Sequence, residues 1–264
     1  MPELPEVETA RAIVERSLGK QVTAVDDSDE YVCRPHRHGE IAAVLVGATL
    51  DGVHRRGKSM WCDTSAGPTL GIHLGMAGKI VLSSPDGDEI DGGDYWSFKR
   101  ASGDHRWTRF ALSFADGSQL RLVDPRRLGR VRLDPPVEAL GPDAATVGRA
   151  ELADRLGRGS GPIKARLLDQ HVVAGIGNLL ADEVLWRAGI LPARPVAELA
   201  AAELPVLHRN LRQAIKDAVR GGGVHTLTLI PHRRAGGRCT RDGAELIRGT
   251  VGGRTTWWCP EHQH

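Results

Sequence analysis

The chain has 264 residues, of which 41% are hydrophobic and 26% charged. That is enough apolar material for one large core or two smaller ones, and too much for a disordered or fibrous chain. Four cysteines at this length argue against a disulfide scaffold, and the longest uncharged apolar stretch, Ile41 to Leu50, is too short to cross a bilayer.

The opening residues Met1-Pro2-Glu3-Leu4-Pro5-Glu6-Val7-Glu8 are acidic where a signal peptide is basic, so the expected compartment is the reducing cytoplasm. Net charge is +2, from 35 Lys and Arg against 33 Asp and Glu, but it is unevenly spread. Between Pro205 and Trp258 ten basic residues stand against three acidic ones, a surplus of +7 that leaves −5 for the rest of the chain. One polyanion-facing portion would account for this asymmetry, and so would a solvated basic face.

In chain order, Val7, Ala10, Ile13, Val14 and Leu18 recur at helical spacing, which predicts a helix after Pro5 that ends near Gly19. Short β-rich runs follow at Val22 to Val25, Ala42 to Val53, Thr69 to Leu74, Trp107 to Phe114 and Gln119 to Val123, separated by turn signals such as Asp116-Gly117. They read as an antiparallel sandwich. Leu133 to Pro142 has the texture of a linker. Helical patterns return at Ala150 to Leu156, Ile163 to Gln170, Asn178 to Ala188 and Pro205 to Val219, and Gly221-Gly222-Gly223 closes them. The Gly- and Arg-rich stretch Gly236 to His264 suggests a small hairpin module. The predicted architecture is therefore α+β: a β-sandwich domain over 1–132, a linker over 133–143, a helical domain over 144–223 and a β-hairpin finger over 224–264.

The chemistry starts at the N-terminus. If Met1 is removed, as a small second residue favours, the chain begins with a secondary amine beside Glu3 and Glu6. An α-amino group titrates near pH 8, so roughly a tenth is neutral and nucleophilic at neutral pH. Such an amine can attack a sugar C1′ and form a Schiff base while a neighbouring carboxyl group moves protons. Pro2 and Pro5 can equally be N-terminal helix punctuation.

This opening resembles the formamidopyrimidine-DNA glycosylase and endonuclease VIII family of bifunctional base-excision repair enzymes. Further segments match in order over nearly the whole chain: Arg55-Arg56-Gly57-Lys58-Ser59-Met60, His73-Leu74-Gly75-Met76-Ala77-Gly78, Asp124-Pro125-Arg126-Arg127-Leu128-Gly129, Pro162-Ile163-Lys164 and Val172-Val173-Ala174-Gly175-Ile176-Gly177-Asn178-Leu179. The resemblance implies an N-terminal helix plus β-sandwich, a helix-two-turn-helix domain, and a zinc or zincless β-hairpin finger. It makes Pro2 the nucleophile, Glu3 the proton-transfer group that opens the deoxyribose ring, and Glu6 a supporting acid. Lys58 and His73 would hold phosphates next to the damaged nucleotide, and Met76, Arg126 and Leu128 would fill the gap left by the everted base. Lys164, Asn178 and Arg254 would contact the DNA backbone. Glu183 occupies the family's acidic position on the following helix, as a site residue or on a solvated face.

Family fingers follow Cys-x2-Cys-x16-Cys-x2-Cys. Here Cys239-x2-Asp242 is followed by sixteen residues and then Cys259-x2-His262, so the spacing is kept while two ligands change. Zinc accepts Cys, His and carboxylate ligands, so a structural zinc on Cys239, Asp242, Cys259 and His262 is chemically feasible. His232 or His264 could replace Asp242, and a metal-free finger is the alternative. Cys33 and Cys62 read as buried thiols.

Family members that excise 8-oxoguanine carry a long lid between the last helix and the finger. Gly223 to Arg238 is short, and Leu128 stands where an aromatic residue intercalates, so the expectation is the endonuclease VIII-like type, acting on oxidised pyrimidines and abasic sites in duplex DNA as a monomer near the nucleoid. No redox cofactor or nucleotide is implied. The alternatives are 8-oxoguanine or formamidopyrimidine specificity, a catalytically silent damaged-DNA binder, and a metal-stabilised RNA-binding module. The first of these stays open; retention of Pro2, Glu3, Glu6 and Lys58 counts against the second, and 4% aromatics against the third.

Overall fold

The computed structural model describes residues 2–94 and 106–264. They divide into two compact units: one contains residues 6–138 with Pro2, the other residues 139–264 with Glu3–Pro5.

Helix α1 (Leu4–Glu15) is followed by β1 (Val22–Asp26) and two short helices, α2 (Glu30–Cys33) and α3 (Glu40–Leu45). Among the described residues eight strands follow: β2 (Leu50–Arg56), β3 (Ser59–Thr64), β4 (Leu70–His73), β5 (Lys79–Ser83), β6 (Glu89–Gly93), β7 (Thr108–Phe114), β8 (Gln119–Val123) and β9 (Arg130–Leu133). They form two antiparallel sheets, in the orders β1-β7-β8-β5-β6 and β2-β3-β4-β9. Alternation sends Met60, Cys62, Leu70, Ile72, Phe110, Leu112, Leu120 and Leu122 inward, where they share one core with Val7, Ala10 and Val14 of α1.

The β-rich reading of Ala42 to Val53 needs correction in its first part. Residues 40–45 form α3 because Asp27, fully buried, accepts the backbone N–H groups of Gly39 (2.9 Å), Ile41 (3.0 Å) and Ala42 (3.2 Å) and so caps the helix from a distance. Ile41 and Leu45, one turn apart, then both enter the core.

The second unit contains α4 (Arg149–Gly157), α5 (Ile163–Leu168), α6 (Asn178–Ala188) and α7 (Glu203–Gly221), with a hairpin of β10 (Ile247–Val251) and β11 (Arg254–Trp258). Leu152, Leu156, Leu167, Leu180, Val184, Leu207, Leu211 and Ile215 meet in its core. A smaller cluster, Trp186, Leu229, Leu246 and Trp257 with Cys239 and Cys259, seats the hairpin against α6. Gly252 and Gly253, with φ of 58° and 71°, make the two-residue turn between β10 and β11 that matches the twist of a hairpin. Among the described residues, no helix is long and apolar enough to cross a membrane.

Candidate active site and metal centre

Pro2, Glu3 and Glu6 are all buried, Glu3 and Glu6 with 1% of their surface exposed. Met1, whose removal the nucleophile reading requires, lies outside the described residues. Glu3 is held by the start of α6: its carboxylate accepts the N–H groups of Gly177 (3.0 Å), Leu179 (2.8 Å) and Leu180 (3.0 Å). A helix N-terminus leaves these donors unpaired and concentrates positive potential there, so an anion 174 residues away in sequence acts as the cap. Gly177 permits this, since a Cβ at that position would lie 2.2 Å from Glu3 Cδ. Gln170 steadies the approach: its amide nitrogen donates to the carbonyls of Leu168 (2.8 Å) and Ile176 (3.0 Å), and its amide oxygen accepts from Gly175 N–H (2.9 Å).

In the sandwich unit, half-buried Lys58 sits in the tight turn between β2 and β3. His73 ends β4, where burial first, then Lys58 and Arg132, push its imidazole below the usual histidine range. Its Nδ1 accepts the Gly75 N–H at 3.0 Å, so the neutral ring carries its proton on Nε2 and presents it as a donor.

Two loops then meet. Gly75, at φ 61°, comes so close to the other loop that a Cβ would lie 2.4 Å from the Leu128 carbonyl carbon. Met76 is 39% exposed, Arg126 is exposed and Leu128 is half-buried. Fully buried Asp124, which the sequence offered only as part of a motif, organises the second loop by accepting the N–H groups of Arg126 (2.9 Å), Leu128 (2.8 Å) and Gly129 (2.7 Å). Arg127, in left-handed backbone at φ 55°, is pinned by two 2.9 Å bonds to Asp29, a residue that sequence reasoning missed.

Lys164 is a correction. Read as a DNA-backbone contact, it is fully buried, with Nζ 2.6 Å from Asp182 Oδ1 and 2.7 Å from Thr256 Oγ1. Asp182 also receives Arg233 at 2.8 Å and the Trp257 N–H at 3.1 Å, so this group ties α5, α6 and β11 together. Burial pushes the Lys164 ammonium down and the Asp182 carboxyl up. Of the two readings of Glu183, the solvated face does not hold: the residue is buried, accepting from Arg187 Nε and Leu229 N–H, both at 2.7 Å. Asn178, half-buried, donates through Nδ2 to the Thr255 carbonyl at 2.9 Å, and Arg254 is exposed beside the hairpin turn.

At the hairpin base, one ligand atom from each of Cys239, Asp242, Cys259 and His262 lies within 4.8 Å of all the others. Cys239 Sγ is 3.7 Å and Asp242 Oδ2 2.9 Å from His262 Nδ1, and Cys259 Sγ is 3.2 Å from Asp242 Oδ2. Donors about 2.0–2.3 Å from a tetrahedral zinc stand roughly 3.3–3.8 Å apart, so these four need shifts of no more than about an ångström to hold such an ion. His262 Nε2 lies 3.2 Å from the Trp186 carbonyl, to which it can donate, leaving Nδ1 as the free donor atom. Trp186 Nε1–H and Arg241 N–H point at Cys239 Sγ, at 3.3 Å and 3.4 Å, as they would toward a thiolate. Neither His232 nor His264 belongs to the group.

Residues 1–131 match the model of the formamidopyrimidine-DNA glycosylase N-terminal domain and residues 139–228 that of the formamidopyrimidine-DNA glycosylase H2TH domain. A formamidopyrimidine-DNA glycosylase of Chloroflexus aurantiacus is 33% identical over 286 residues, covering 100% of this chain and 98% of that one. Among solved structures, Lactococcus lactis Fpg bound to DNA with an abasic site superposes with TM-score 0.81 at 26% identity, covering 99% of each chain. The same enzyme bound to FAPY-dG DNA gives TM-score 0.81 at 27% identity, covering 99% of this chain and 100% of that one. Fold and site thus define a base-excision DNA glycosylase with AP lyase activity. The chain belongs to the formamidopyrimidine-DNA glycosylase family.

Proposed function

We propose that this chain excises oxidised purines of the formamidopyrimidine and 8-oxoguanine type from duplex DNA and then cleaves the strand, using Pro2 as nucleophile once Met1 is removed. The observation that carries the chemistry is the buried Pro2-Glu3 terminus, with the Glu3 carboxylate fixed by three N–H donors of α6. A carboxylate so held can exchange a proton with the sugar ring without first having to be ordered. The neutral Pro2 nitrogen attacks C1′, the glycosidic bond breaks and the base leaves with its electron pair, taking up a proton. The proton shed by the attacking amine passes to the Glu3 carboxylate, which delivers it to O4′, so the ring opens and leaves an iminium ion. Loss of a C2′ proton then expels the 3′ phosphate, and water releases the protein from the remaining sugar. Glu6 supports the terminus, Lys58 and His73 hold phosphates, and Met76, Arg126 and Leu128 occupy the vacated stack. Zinc on Cys239, Asp242, Cys259 and His262 would stabilise the hairpin that carries Arg254 and take no part in the reaction.

The purine reading is supported by relatives that bear the formamidopyrimidine-DNA glycosylase name and by the FAPY-dG complex of the Lactococcus protein. Oxidised pyrimidines are the second reading, favoured by the segment between α7 and Cys239. It folds into two short 3-10 turns with Leu227 and Leu229 buried and Arg233 tied to Asp182. Single-turnover excision on duplexes carrying 8-oxoguanine, FAPY-dG or thymine glycol separates the two. The purine reading predicts the first two to be processed at least tenfold faster, and faster release of thymine glycol would overturn it.

A further inference from the structure

The sheet β2-β3-β4-β9 buries one face in the core; its other face carries, besides His73, arginines that the proposed chemistry leaves without a role. Register pairs Ser59 with His73 and His73 with Arg130, and one rung further Gly71 with Arg132, so alternation sets Ser59, His73, Arg130 and Arg132 on that outer face. Gly71 contributes no side chain, leaving a hollow walled by Pro135, whose Cγ would lie 2.6 Å from a Cβ at Gly71. A cavity of about 730 Å³ results, and its lining includes Arg34, Arg130, Arg132, His73 and Leu128 but no Asp or Glu.

The charge there is not balanced internally. Among the described residues no carboxylate lies within ion-pair distance of Arg34, Arg130 or Arg132, whereas Arg109, Arg121 and Arg127 of the same unit all have one. Two of the three are also pre-positioned: Arg34 and Arg130 lie 4.1 Å and 5.0 Å from the Tyr31 ring centroid, and Arg130 Nη1 donates to the Gly129 carbonyl at 2.6 Å. Held guanidinium groups without an internal anion suit an external one. Arg130 and Arg132 stand two residues apart on a strand, about 6.6 Å, so they meet successive groups of an extended polyanion more readily than they converge on one. The hollow also reaches Leu128 and His73 of the proposed DNA site.

We propose that Arg34, Arg130 and Arg132 form a shelf for the phosphodiester backbone of DNA outside the damaged nucleotide. This rests on the reading of the chain as a duplex-DNA enzyme. The test uses the full chain and an undamaged duplex, so it involves no excision chemistry. Affinity is measured between 50 and 200 mM salt, where each phosphate contact contributes about 0.9 to the slope of log K against log salt. The variant Arg34→Gln/Arg130→Gln/Arg132→Gln should lower that slope by about 2 to 3. Arg34→Lys/Arg130→Lys/Arg132→Lys should keep it, as should Arg158→Gln just after α4, where Arg158 pairs with Asp154 on an exposed surface. Should the triple glutamine variant not fold, Arg132→Gln alone should lower the slope by about 0.9. An unaltered slope in the glutamine variants, or an equal drop in the lysine variant, would overturn the shelf. So would loss of thymidine 5′-monophosphate binding in the glutamine variant at an unaltered duplex slope, which would mark a nucleotide pocket instead. Failure of adduct formation on damaged DNA with the slope change intact would count against the proposed activity and leave the shelf standing.

Discussion

Gly177 has no room for a side chain, because the Glu3 carboxylate fills the space where one would go. Gly177→Ala should therefore displace Glu3 by about an ångström and slow single-turnover adduct formation on the order of 10²-fold; an unaffected rate would show that the position of Glu3 does not matter. Lys164→Ala separates a structural role from a binding one. It leaves Asp182 buried with a partner missing, which should lower unfolding stability by about 3–5 kcal/mol in a denaturant titration, whereas loss of a backbone contact would spare stability and reduce the salt slope of binding. Cys33 and Cys62 are buried thiols pushed up to about 12, mainly by burial. Both should resist alkylation of the native protein at pH 8, and labelling as fast as in the unfolded chain would contradict their placement. Residue identities made the N-terminal motif readable, but burial was not: nothing local to Lys164 shows that its partner stands 18 positions on.

At the scale of elements, helices with strong periodicity were legible, and α6 occupies the same bounds, Asn178–Ala188, that its pattern predicts. So does strand β8, Gln119–Val123, with its alternating branched residues. Strand β6, Glu89-Ile90-Asp91-Gly92-Gly93, went unread because it is acidic, glycine-rich and at a sheet edge, where pairing with β5 does what propensity does not. Residues 40–45 were misassigned since their cap, Asp27, is remote in sequence. The finger spacing was visible, yet only the fold brings Asp242 and His262 against the two cysteines. One zinc per chain is expected by elemental analysis after purification. Asp242→Ala should weaken retention against a chelator and lower the thermal midpoint by several degrees, and full stability after complete chelation would contradict a structural metal. Arg187 joins α6 to α7 by holding the Asp217 carboxyl below its usual range, chiefly through their hydrogen bond. A depressed native value stabilises above the unfolded one, near pH 4, and that stabilisation is lost as pH falls further. Asp217→Asn should consequently flatten the acid limb of the stability profile, measured by urea titration between pH 2 and 5; an unchanged limb would show that the pair does not stabilise the fold.

For the whole molecule, a chain of net charge +2 becomes a polyanion-binding protein through where its cations stand rather than how many there are. In each unit many arginines are neutralised internally, and groups such as Arg126, Arg130, Arg132 and Arg254 are left toward solvent or the outer sheet face. Contacts assign Pro2 and Glu6 to one unit and Glu3 to the other, although the three are near neighbours in sequence. On the proposed mechanism the amine of residue 2 becomes covalently bonded to the sugar. Borohydride reduction with an abasic duplex, followed by digestion and mass spectrometry of the N-terminal peptide, detects that bond. A reduced sugar adduct on Pro2, with Met1 absent, is the predicted result; an adduct on Lys58 or another lysine, or a trapped chain that keeps Met1, would contradict it.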